Sequence, residues 1–485
     1  MTNEKMTAAR RAGAWVSACL VFGIAAISAH GATADDARRQ TAENSLRPRV
    51  EIEGDAPMRW NVYERMRRYR VPTMSVAVIE HGRIIWSARY RSDGTMHMPA
   101  GDERYQAASL SKGFAGNLAA ILADKGVVKL DEPVDGCLAQ LALPAGKQDA
   151  AHPVTLRNLL HHTAGATVHG FPGYVVGTPV PTAEQVVLGQ PPSNTPAVKI
   201  ATVPGATFDY SGGGYTFAQI AMVHCAKAPF ASLMQRYVLG PAGMRDSTFA
   251  QPLPAGLGHA TGHTSNGDPV PGDAHTYPEL AAAGLWTTAE DLARWLIALR
   301  NADMGKSSFL SRKAAKDLLT PGLGNYGMGI FVSGEGAHRR FMHEGGNAGF
   351  KSKYVMFAEQ GNGVVILTDG DNGVFLMNEF AKAVAVAYGW TDLDPRIVTR
   401  ARIDEAAMAK RVGQYVVDDP DWEGERSMSL VREGDRWYLD TAGLGHTALV
   451  PTGAQSFVAP DTGYPIVFDD KDGLTSGPMK ARKVR

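Results

Sequence analysis

The sequence predicts an α+β fold, with an antiparallel sheet flanked by helices, an all-helical region and a small all-β module at the C-terminus. Strand patterns occur near residue 75 and again between residues 326 and 368, and several helical patterns separate them. After residue 404 the pattern changes to short strands between turn signals, which indicates a small β-sandwich or barrel. A length of 485 residues allows about two to four domains.

The first 34 residues predict a secretory signal peptide. Lys5, Arg10 and Arg11 precede an apolar run over residues 12–29, and Ala32-Thr33-Ala34 supplies a cleavage site of small residues. We expect export and cleavage, which places the protein in the periplasm or outside the cell and leaves no stable membrane span.

Two alternatives stay open for this segment. One is a retained membrane anchor, because about 20 residues span a bilayer. The other is a lipoprotein attached through Cys19.

Export also bears on Cys137 and Cys225, because two cysteines can form a disulfide in an oxidising compartment. Nothing in the sequence brings these two cysteines together, so we expect two buried free thiols.

The composition excludes several classes of protein. Lys+Arg and Asp+Glu are balanced at 49 each, so no surplus of positive charge exists to bind nucleic acid. The apolar share of 44% and the charged share of 20% are typical of a globular protein. Three cysteines are too few for a disulfide scaffold.

Helix and strand patterns alternate along the main part of the chain. The strands predicted are residues 74–79, 84–86, 326–332, 339–342, 352–357 and 363–368. The helices predicted are residues 109–126, 155–162, 216–225, 288–299 and 377–388. Residues 165–204 are rich in Gly, Pro, Val and Thr without periodicity, which predicts a long loop over a functional site.

These patterns divide the chain into four predicted segments. The signal peptide covers residues 1–34, and the main domain covers residues 45–392. A linker that contains Pro395 covers residues 393–404, and the small β module covers residues 405–485. The sequence leaves the role of this module open between a cover for the site, a limit on substrate size and a surface for a partner.

Ser109 and Lys112 form the leading catalytic candidate. Residues three apart on a helix share a face, so Lys112 can point at the Ser109 hydroxyl. A serine hydroxyl becomes a nucleophile when a base accepts its proton, and burial lowers the pKa of a lysine towards neutrality. The positive end of the helix also favours an oxyanion. Alone, this motif fits a capping serine and a surface lysine better than a catalytic pair.

Two further motifs carry candidate residues. Tyr210 lies at a turn before a helix, where a tyrosine near an ammonium group can relay a proton; the alternative is a packed core tyrosine. His343-Glu344-Gly345-Gly346 lies at a predicted strand, and its glycines admit a ligand or another backbone. The N–H of Gly346 can face an oxyanion. We predict no metal, because the second histidine of an H-E-x-x-H helix is missing.

The order and spacing of these three motifs resemble the serine β-lactamase and penicillin-binding family. The similarity is to the branch of class C β-lactamases, D-stereospecific peptidases and related esterases. Further stretches agree with it, namely residues 155–165, 241–249 and 283–293. The resemblance covers residues 50–390 and implies a β-lactamase/transpeptidase-like fold. The C-terminal tail more loosely resembles β-barrel-like modules appended to some members.

The resemblance implies a role for each motif residue. Ser109 is the acylated nucleophile, and Lys112 and Tyr210 share the general acid and base work. The backbone N–H groups of Ser109 and Gly346 form the oxyanion hole. His343 stands where many relatives carry a lysine that binds a substrate carboxylate. No cofactor is implied.

Two departures from the family pattern bear on the substrate. Gly212 stands where an asparagine usually contacts a substrate amide, and His343 replaces the lysine. A neutral histidine is a weaker anchor for a carboxylate. We therefore predict substrate contacts at His343, Gly345 and Gly212 that favour an ester over a β-lactam or a D-alanyl peptide. Gly212 can alternatively open space for a larger acyl group.

The sequence thus predicts an exported serine acyl hydrolase of small-molecule esters, amides or peptides, with esters favoured. The alternatives are a β-lactamase, a D-alanyl-D-alanine carboxypeptidase or a D-aminopeptidase. An alternative from another class is a penicillin-binding sensor that is acylated without turnover. No nucleic-acid partner is predicted, and the sequence does not decide the oligomeric state.

Overall fold

The computed structural model describes residues 34–138, 141–307, 309–390, 392–418, 427–441, 443–469, 473–476 and 479–484. The predicted signal peptide, apart from Ala34, lies outside these residues, as does Cys19. Among the residues described, no helix combines the length and the apolar character that crossing a membrane requires.

Twelve helices can be bounded in the described part of the chain. They are α1 (34–43), α2 (Val62–Tyr69), α3 (Ser111–Asp124), α4 (Leu156–Leu160), α5 (Ala183–Leu188), α6 (Gly212–Ala226), α7 (Phe230–Met234), α8 (Leu280–Ala283), α9 (Ala289–Asp303), α10 (Arg312–Leu319), α11 (Gly373–Tyr388) and α12 (Glu405–Ala409). Short 3₁₀ helices cover Ala108–Leu110, Val134–Cys137, Leu323–Asn325 and Gly336–His338, and a π-helical turn covers Gln235–Leu239.

The strands fall into a main sheet, a barrel and two short pairs. They are β1 (Val50–Ile52), β2 (Thr73–Glu80), β3 (Arg83–Arg91), β4 (Met96–His97), β5 (Tyr105–Gln106), β6 (Trp286–Thr287), β7 (Phe331–Ser333), β8 (Arg340–Asn347), β9 (Phe350–Phe357), β10 (Asn362–Thr368), β11 (Arg396–Val398), β12 (Gly413–Val417), β13 (Ser427–Glu433), β14 (Arg436–Thr441), β15 (Gly445–Gly453), β16 (Ser456–Val458), β17 (Pro465–Phe468), β18 (Gly473–Ser476) and β19 (Met479–Lys483).

The main sheet has seven strands in the order β4-β3-β2-β10-β9-β8-β7, and the pairs are antiparallel. Its strands are apolar on both faces because helices cover both. Val365 and Leu367 of β10 join the core that contains α3, α6 and α9, whereas Val364 and Ile366 join the core that contains α2 and α11. The predicted α+β fold with an antiparallel sheet is confirmed.

The predicted strand at residues 326–332 is shorter in the structure, where β7 begins at Phe331. The reason is the close approach of this segment to α3. A side chain at Gly116 would collide with the backbone of Met328, and one at Gly329 would collide with the backbone of Lys112. The segment therefore packs against the helix that follows the candidate nucleophile. The predicted loop at residues 165–204 also differs, because it contains α5.

A disulfide bond joins Cys137 and Cys225, whose Cα atoms are 5.3 Å apart. The expectation of two free thiols was wrong. Cys137 ends a 3₁₀ helix and Cys225 lies in the last turn of α6. These elements pack together across 88 residues of sequence, a contact that no local pattern indicates.

The C-terminal module is a closed barrel of the eight antiparallel strands β12–β19. This decides between the predicted sandwich and barrel. Tyr415, Trp437, Phe457 and Phe468 fill its interior. The segment predicted as a linker contains β11, which pairs in parallel with β1 at the start of the main domain.

The barrel contacts the main domain on the face of the sheet that carries α2 and α11. Arg65 of α2 contacts Asp461 at 3.0 Å, and Arg68 donates to the carbonyl of His446 at 2.9 Å. Asn372, which precedes α11, donates to the carbonyl of Gly443. The helix α3, which follows Ser109, packs on the opposite face of the sheet.

Candidate active site

Ser109 lies in the 3₁₀ turn that leads into α3. The preceding residue, Ala108, has φ of 50°, in the left-handed region that a residue with a Cβ rarely adopts. Its neighbour Ala107 is fixed on both sides, since its N–H donates to the carbonyl of Leu285 and its carbonyl accepts from the hydroxyl of Ser352. The turn leaves Ser109 half-buried while the residues around it are buried.

Lys112 lies one turn further along, with Nζ 3.0 Å from Oγ of Ser109 and 3.0 Å from the carbonyl oxygen of Ala282. The side chain is 2% exposed. Burial lowers the pKa of Lys112 to about 7. A substantial fraction of this amine is therefore uncharged at neutral pH, and its lone pair can accept the Ser109 proton.

Tyr210 lies beside the same two residues. Lys112 Nζ is 4.9 Å from the centre of the Tyr210 ring, and the Ser109 side chain is close enough to act on the pKa of the Tyr210 hydroxyl. Burial raises the pKa of Tyr210 above its ordinary value, and the neighbouring Ser109 offsets only part of that shift. The phenol therefore stays protonated at neutral pH. These electrostatics favour Lys112 as the base and Tyr210 as a proton donor.

The predicted oxyanion-hole residues lie on facing segments. A side chain at Gly345 would meet the carbonyl of Ala107 at 2.5 Å and the backbone nitrogen of Ser109 at 3.0 Å, so glycine is needed there. Strand β8 thus runs directly past the turn that carries Ser109, with Gly346 as its next residue. This approach brings the Ser109 N–H next to the strand that carries Gly346.

His343 is buried, and both of its ring nitrogens have partners. Nδ1 lies 2.6 Å from the carbonyl oxygen of Glu344, and Nε2 lies 3.0 Å from the hydroxyl of Tyr326. A carbonyl only accepts, so Nδ1 carries the hydrogen and Nε2 accepts from Tyr326. Burial lowers the pKa of His343 to about 4, and the charge of Lys112 adds to this. The geometry gives no support to a carboxylate-binding role for this neutral, fully bonded ring.

Gly212 begins α6 under the ring of Phe171. A Cβ at this position would lie 2.6 Å from Cε2 of Phe171, and the N–H of Gly212 donates to the carbonyl of His169. The space that glycine leaves is therefore filled by an aromatic ring, and the idea that it admits a larger acyl group is not supported. An asparagine side chain at position 212 has no room beside Phe171.

The structure brings Ser109, Lys112 and Tyr210 into one cluster, with the two glycines of β8 beside it. Tyr326 and Phe171 also belong to the site, and the sequence analysis missed both. Phe171 lies in the stretch without periodicity and Tyr326 at the start of a predicted strand, and each is brought to its partner by the fold. In the described residues, no three or more His, Cys, Asp or Glu side chains are grouped as metal ligands.

A sequence profile described as Beta-lactamase matches residues 58–388. This chain belongs to the beta-lactamase family. The predicted resemblance is thereby confirmed, and the matched range contains all seven of the predicted site residues. Within this beta-lactamase-family protein, the barrel lies outside the matched range.

Individual relatives agree with this family assignment. The D-alanyl-D-alanine-carboxypeptidase/endopeptidase AmpH of Escherichia coli (strain K12) is 26% identical over 241 residues, which is 48% of this chain and 59% of that protein. The chain therefore spans less than two thirds of this curated relative.

Solved structures show the same fold. The octameric penicillin-binding protein homologue from Pyrococcus abyssi has a TM-score of 0.58 at 20% identity and covers 87% of this chain and 98% of its own. A D-stereospecific amidohydrolase from Streptomyces sp. has a TM-score of 0.50 at 20% identity, over 64% of this chain and 93% of its own. The likeness to the Pyrococcus abyssi protein extends beyond the residues that the family profile matches.

Proposed function

We propose that this protein is an exported serine acyl hydrolase that forms an acyl-enzyme on Ser109 and releases the acyl group to water. The observation that carries the proposal is the 3.0 Å distance from Lys112 Nζ to Ser109 Oγ, in a site that lowers the lysine pKa to about 7. An uncharged amine at this distance is a competent general base.

The proposed reaction has two halves. In the first, Lys112 takes the Ser109 proton as Oγ bonds to the substrate carbonyl carbon, and the N–H groups of Ser109 and Gly346 stabilise the negative oxygen. Tyr210 donates a proton to the leaving oxygen or nitrogen as its bond to carbon breaks, and Lys112 returns a proton to Tyr210. In the second, water attacks the acyl carbon, Lys112 takes the water's proton, and that proton returns to Ser109.

The polar surroundings favour esters among the possible substrates. His343 is neutral and bonded to Tyr326, and Phe171 fills the space above Gly212. These two positions therefore supply neither a cation for a substrate carboxylate nor an amide for a substrate amide group. Ester hydrolysis needs only the nucleophile, the base, the oxyanion donors and a proton donor for the leaving oxygen.

Hydrolysis of D-alanyl peptides or related amides is the second candidate function. Its support is the 26% identity to a protein described as a D-alanyl-D-alanine-carboxypeptidase/endopeptidase. A β-lactamase and a penicillin-binding sensor are further outcomes of the same assay.

The test is steady-state hydrolysis of p-nitrophenyl butyrate by the mature protein, residues 35–485, with Ser109→Ala as the paired variant. We expect turnover that the substitution abolishes. A chromogenic cephalosporin and a D-alanyl-D-alanine peptide are assayed beside the ester. A burst of labelling without turnover on any substrate would identify a sensor instead. Export is tested separately by sequencing the N-terminus of the secreted chain, which we expect to begin at Asp35.

A further inference from the structure

We propose that His162 is a positioning residue that holds Tyr210 against Ser109. The inference rests on the proposed function, in which the Tyr210 hydroxyl donates the proton to the leaving group. It concerns a residue outside the three motifs, in the turn that follows α4.

His162 contacts three consecutive residues, with Tyr210 in the middle. Its carbonyl accepts the N–H of Asp209 at 2.8 Å, and its Nδ1 accepts the N–H of Ser211 at 2.9 Å. Its ring lies on the Tyr210 ring, with centroids 4.1 Å apart and planes 34° apart. The main chain and the ring nitrogen of His162 therefore fix the residues on both sides of Tyr210. The face of the His162 ring holds the Tyr210 ring.

The bond to Ser211 also determines the protonation of His162. A backbone N–H can only donate, so Nδ1 must carry no hydrogen and the neutral ring is protonated at Nε2. That Nε2 is buried and has no hydrogen-bond partner among the described residues. Burial, with the charge of Lys112 and smaller effects of His343, His169 and His161, lowers the pKa of His162 well below its ordinary value. The acceptor is therefore present at any pH near neutrality.

The backbone of His162 permits this double contact. Its φ is 58°, in the left-handed region, where His and Asn are more frequent than most residues. Such a conformation is strained for a residue with a Cβ and persists where the surroundings require it. Here the carbonyl and the side chain of one residue reach the same three-residue segment.

Several rings pack around Tyr210, and the His162 ring, with centroids 4.1 Å apart, is nearer to it than the His169 ring at 4.9 Å. The next residue, Ser211, caps α6, because its hydroxyl oxygen accepts the N–H of Gly214. The same hydroxyl donates a hydrogen bond to the carbonyl of Thr167. These bonds fix Ser211, but they do not hold the Tyr210 ring. A displacement of about 1 Å of a catalytic group can lower a rate about 100-fold.

The experiment compares His162→Asn with His162→Gln. Both are amides that lack the ring, but the Asn Oδ1 takes the place of Nδ1, whereas the Gln amide extends to the Nε2 position. The matched controls are His161→Asn and His161→Gln, because His161 is also buried but its ring lies against Gly322 rather than Tyr210. The measurements are kcat and KM for ethyl butyrate, whose alkoxide leaving group needs a proton, thermal stability, and the rate at which an alkyl phosphonate ester labels Ser109 with loss of its alkoxide.

We expect His162→Gln to lower kcat and the labelling rate by about 10- to 100-fold with little change in KM, and His162→Asn to retain at least about five times more activity than Gln. In a Tyr210→Phe background the Asn and Gln variants should become equal, because the hydroxyl that they position is gone. A merely structural role would give the same loss in both backgrounds.

Equal activity of the Asn and Gln variants in the Tyr210 background, or losses that add to that of Tyr210→Phe, would overturn the positioning role. The labelling rate reports on Ser109 activation without turnover, so it decides this inference even if the ester is not hydrolysed. If the wild type is labelled but hydrolyses no substrate, the proposed hydrolase function is overturned. The role of His162 is then decided by comparing the labelling rates of the variants.

Discussion

The hydroxyl of Tyr326 donates a hydrogen bond to Nε2 of His343 over 3.0 Å, while Nδ1 of the same ring bonds the carbonyl of Glu344. These two contacts use both ring nitrogens and fix one neutral tautomer. His343 thus occupies the position where a cation is common in the family, but it is bonded into the wall of the site.

This arrangement predicts that a substrate carboxylate brings no advantage through His343. With the pKa of His343 near 4, we expect the kcat/KM ratio of a D-alanyl-D-alanine peptide to its C-terminal amide to stay constant between pH 5 and 8, about where an ordinary histidine titrates. The measurement is that ratio at each pH. A ratio that rises as the pH falls from 8 to 5 would show that a protonated His343 binds the carboxylate after all.

The lowered pKa of Lys112 predicts that the rate of hydrolysis itself depends on pH. The base must be uncharged, so kcat/KM should fall about tenfold per pH unit below about 7 and level off above it. The profile of kcat/KM is measured with p-nitrophenyl butyrate from pH 5 to 9. The Lys112→Ala variant should lose most of the activity, and its remaining activity should not fall below pH 7 in this way. A flat profile over this range would exclude Lys112 as the base.

The contact of Phe171 with Gly212 predicts that side chains at position 212 are costly. Gly212→Asn should destabilise the fold by about 1–3 kcal/mol through overpacking and should not create cephalosporin hydrolysis. The measurement is the free energy of unfolding of Gly212→Asn, of Phe171→Ala and of the double variant. In the Phe171→Ala background we expect the cost of Gly212→Asn to shrink; an unchanged cost would mean that Phe171 is not what excludes the side chain.

The disulfide predicts a stability that depends on redox conditions. Joining Cys137 to Cys225 closes a separation of 88 residues, which restricts the unfolded chain and contributes about 2–5 kcal/mol. The double variant Cys137→Ser and Cys225→Ser should unfold at a lower temperature and should not respond to a reductant. The folded variant should still hydrolyse ester, because neither cysteine touches Ser109. Identical unfolding with and without reductant in the wild type would contradict the bond.

The position of the barrel predicts a structural rather than a selective role. Its contacts lie on the α2 and α11 face, so removing residues 405–485 should lower thermal stability by exposing apolar surface. The preference between butyrate and octanoate esters should change less than about twofold, since pocket contacts determine discrimination. A widened range of acyl lengths would show that the barrel limits access to the site.

Local patterns predicted those parts of the site that depend on neighbours in sequence. The three-residue spacing correctly indicated that Lys112 faces Ser109, even though Ser109 lies in a 3₁₀ turn and the α-helix begins at Ser111. Strand-forming runs between turn signals likewise predicted most strands of the main sheet, although β7 covers only Phe331–Ser333 of the predicted residues 326–332. The helix predicted at residues 155–162 is present as α4, and Thr155 caps it.

Contacts between distant segments could not be predicted in the same way. The Cys137–Cys225 bond, the Phe171 ring over Gly212 and the Tyr326 bond to His343 each join elements that only the folded chain brings together. The resemblance supplied the roles of matching residues, but it carried no information on Phe171 or Tyr326. These are the residues that change the expected substrate contacts.

Several of the bonds between the main domain and the barrel end on main-chain oxygens of the barrel. Arg68 and Asn372 donate to the carbonyls of His446 and Gly443, and the N–H groups of Arg49 and Val50 donate to the carbonyl of Pro460. A carbonyl is present whatever side chain the residue carries. Substitutions at His446, Gly443 and Pro460 can therefore leave these carbonyl acceptors in place, so the barrel surface around them can change while these bonds to the main domain are kept.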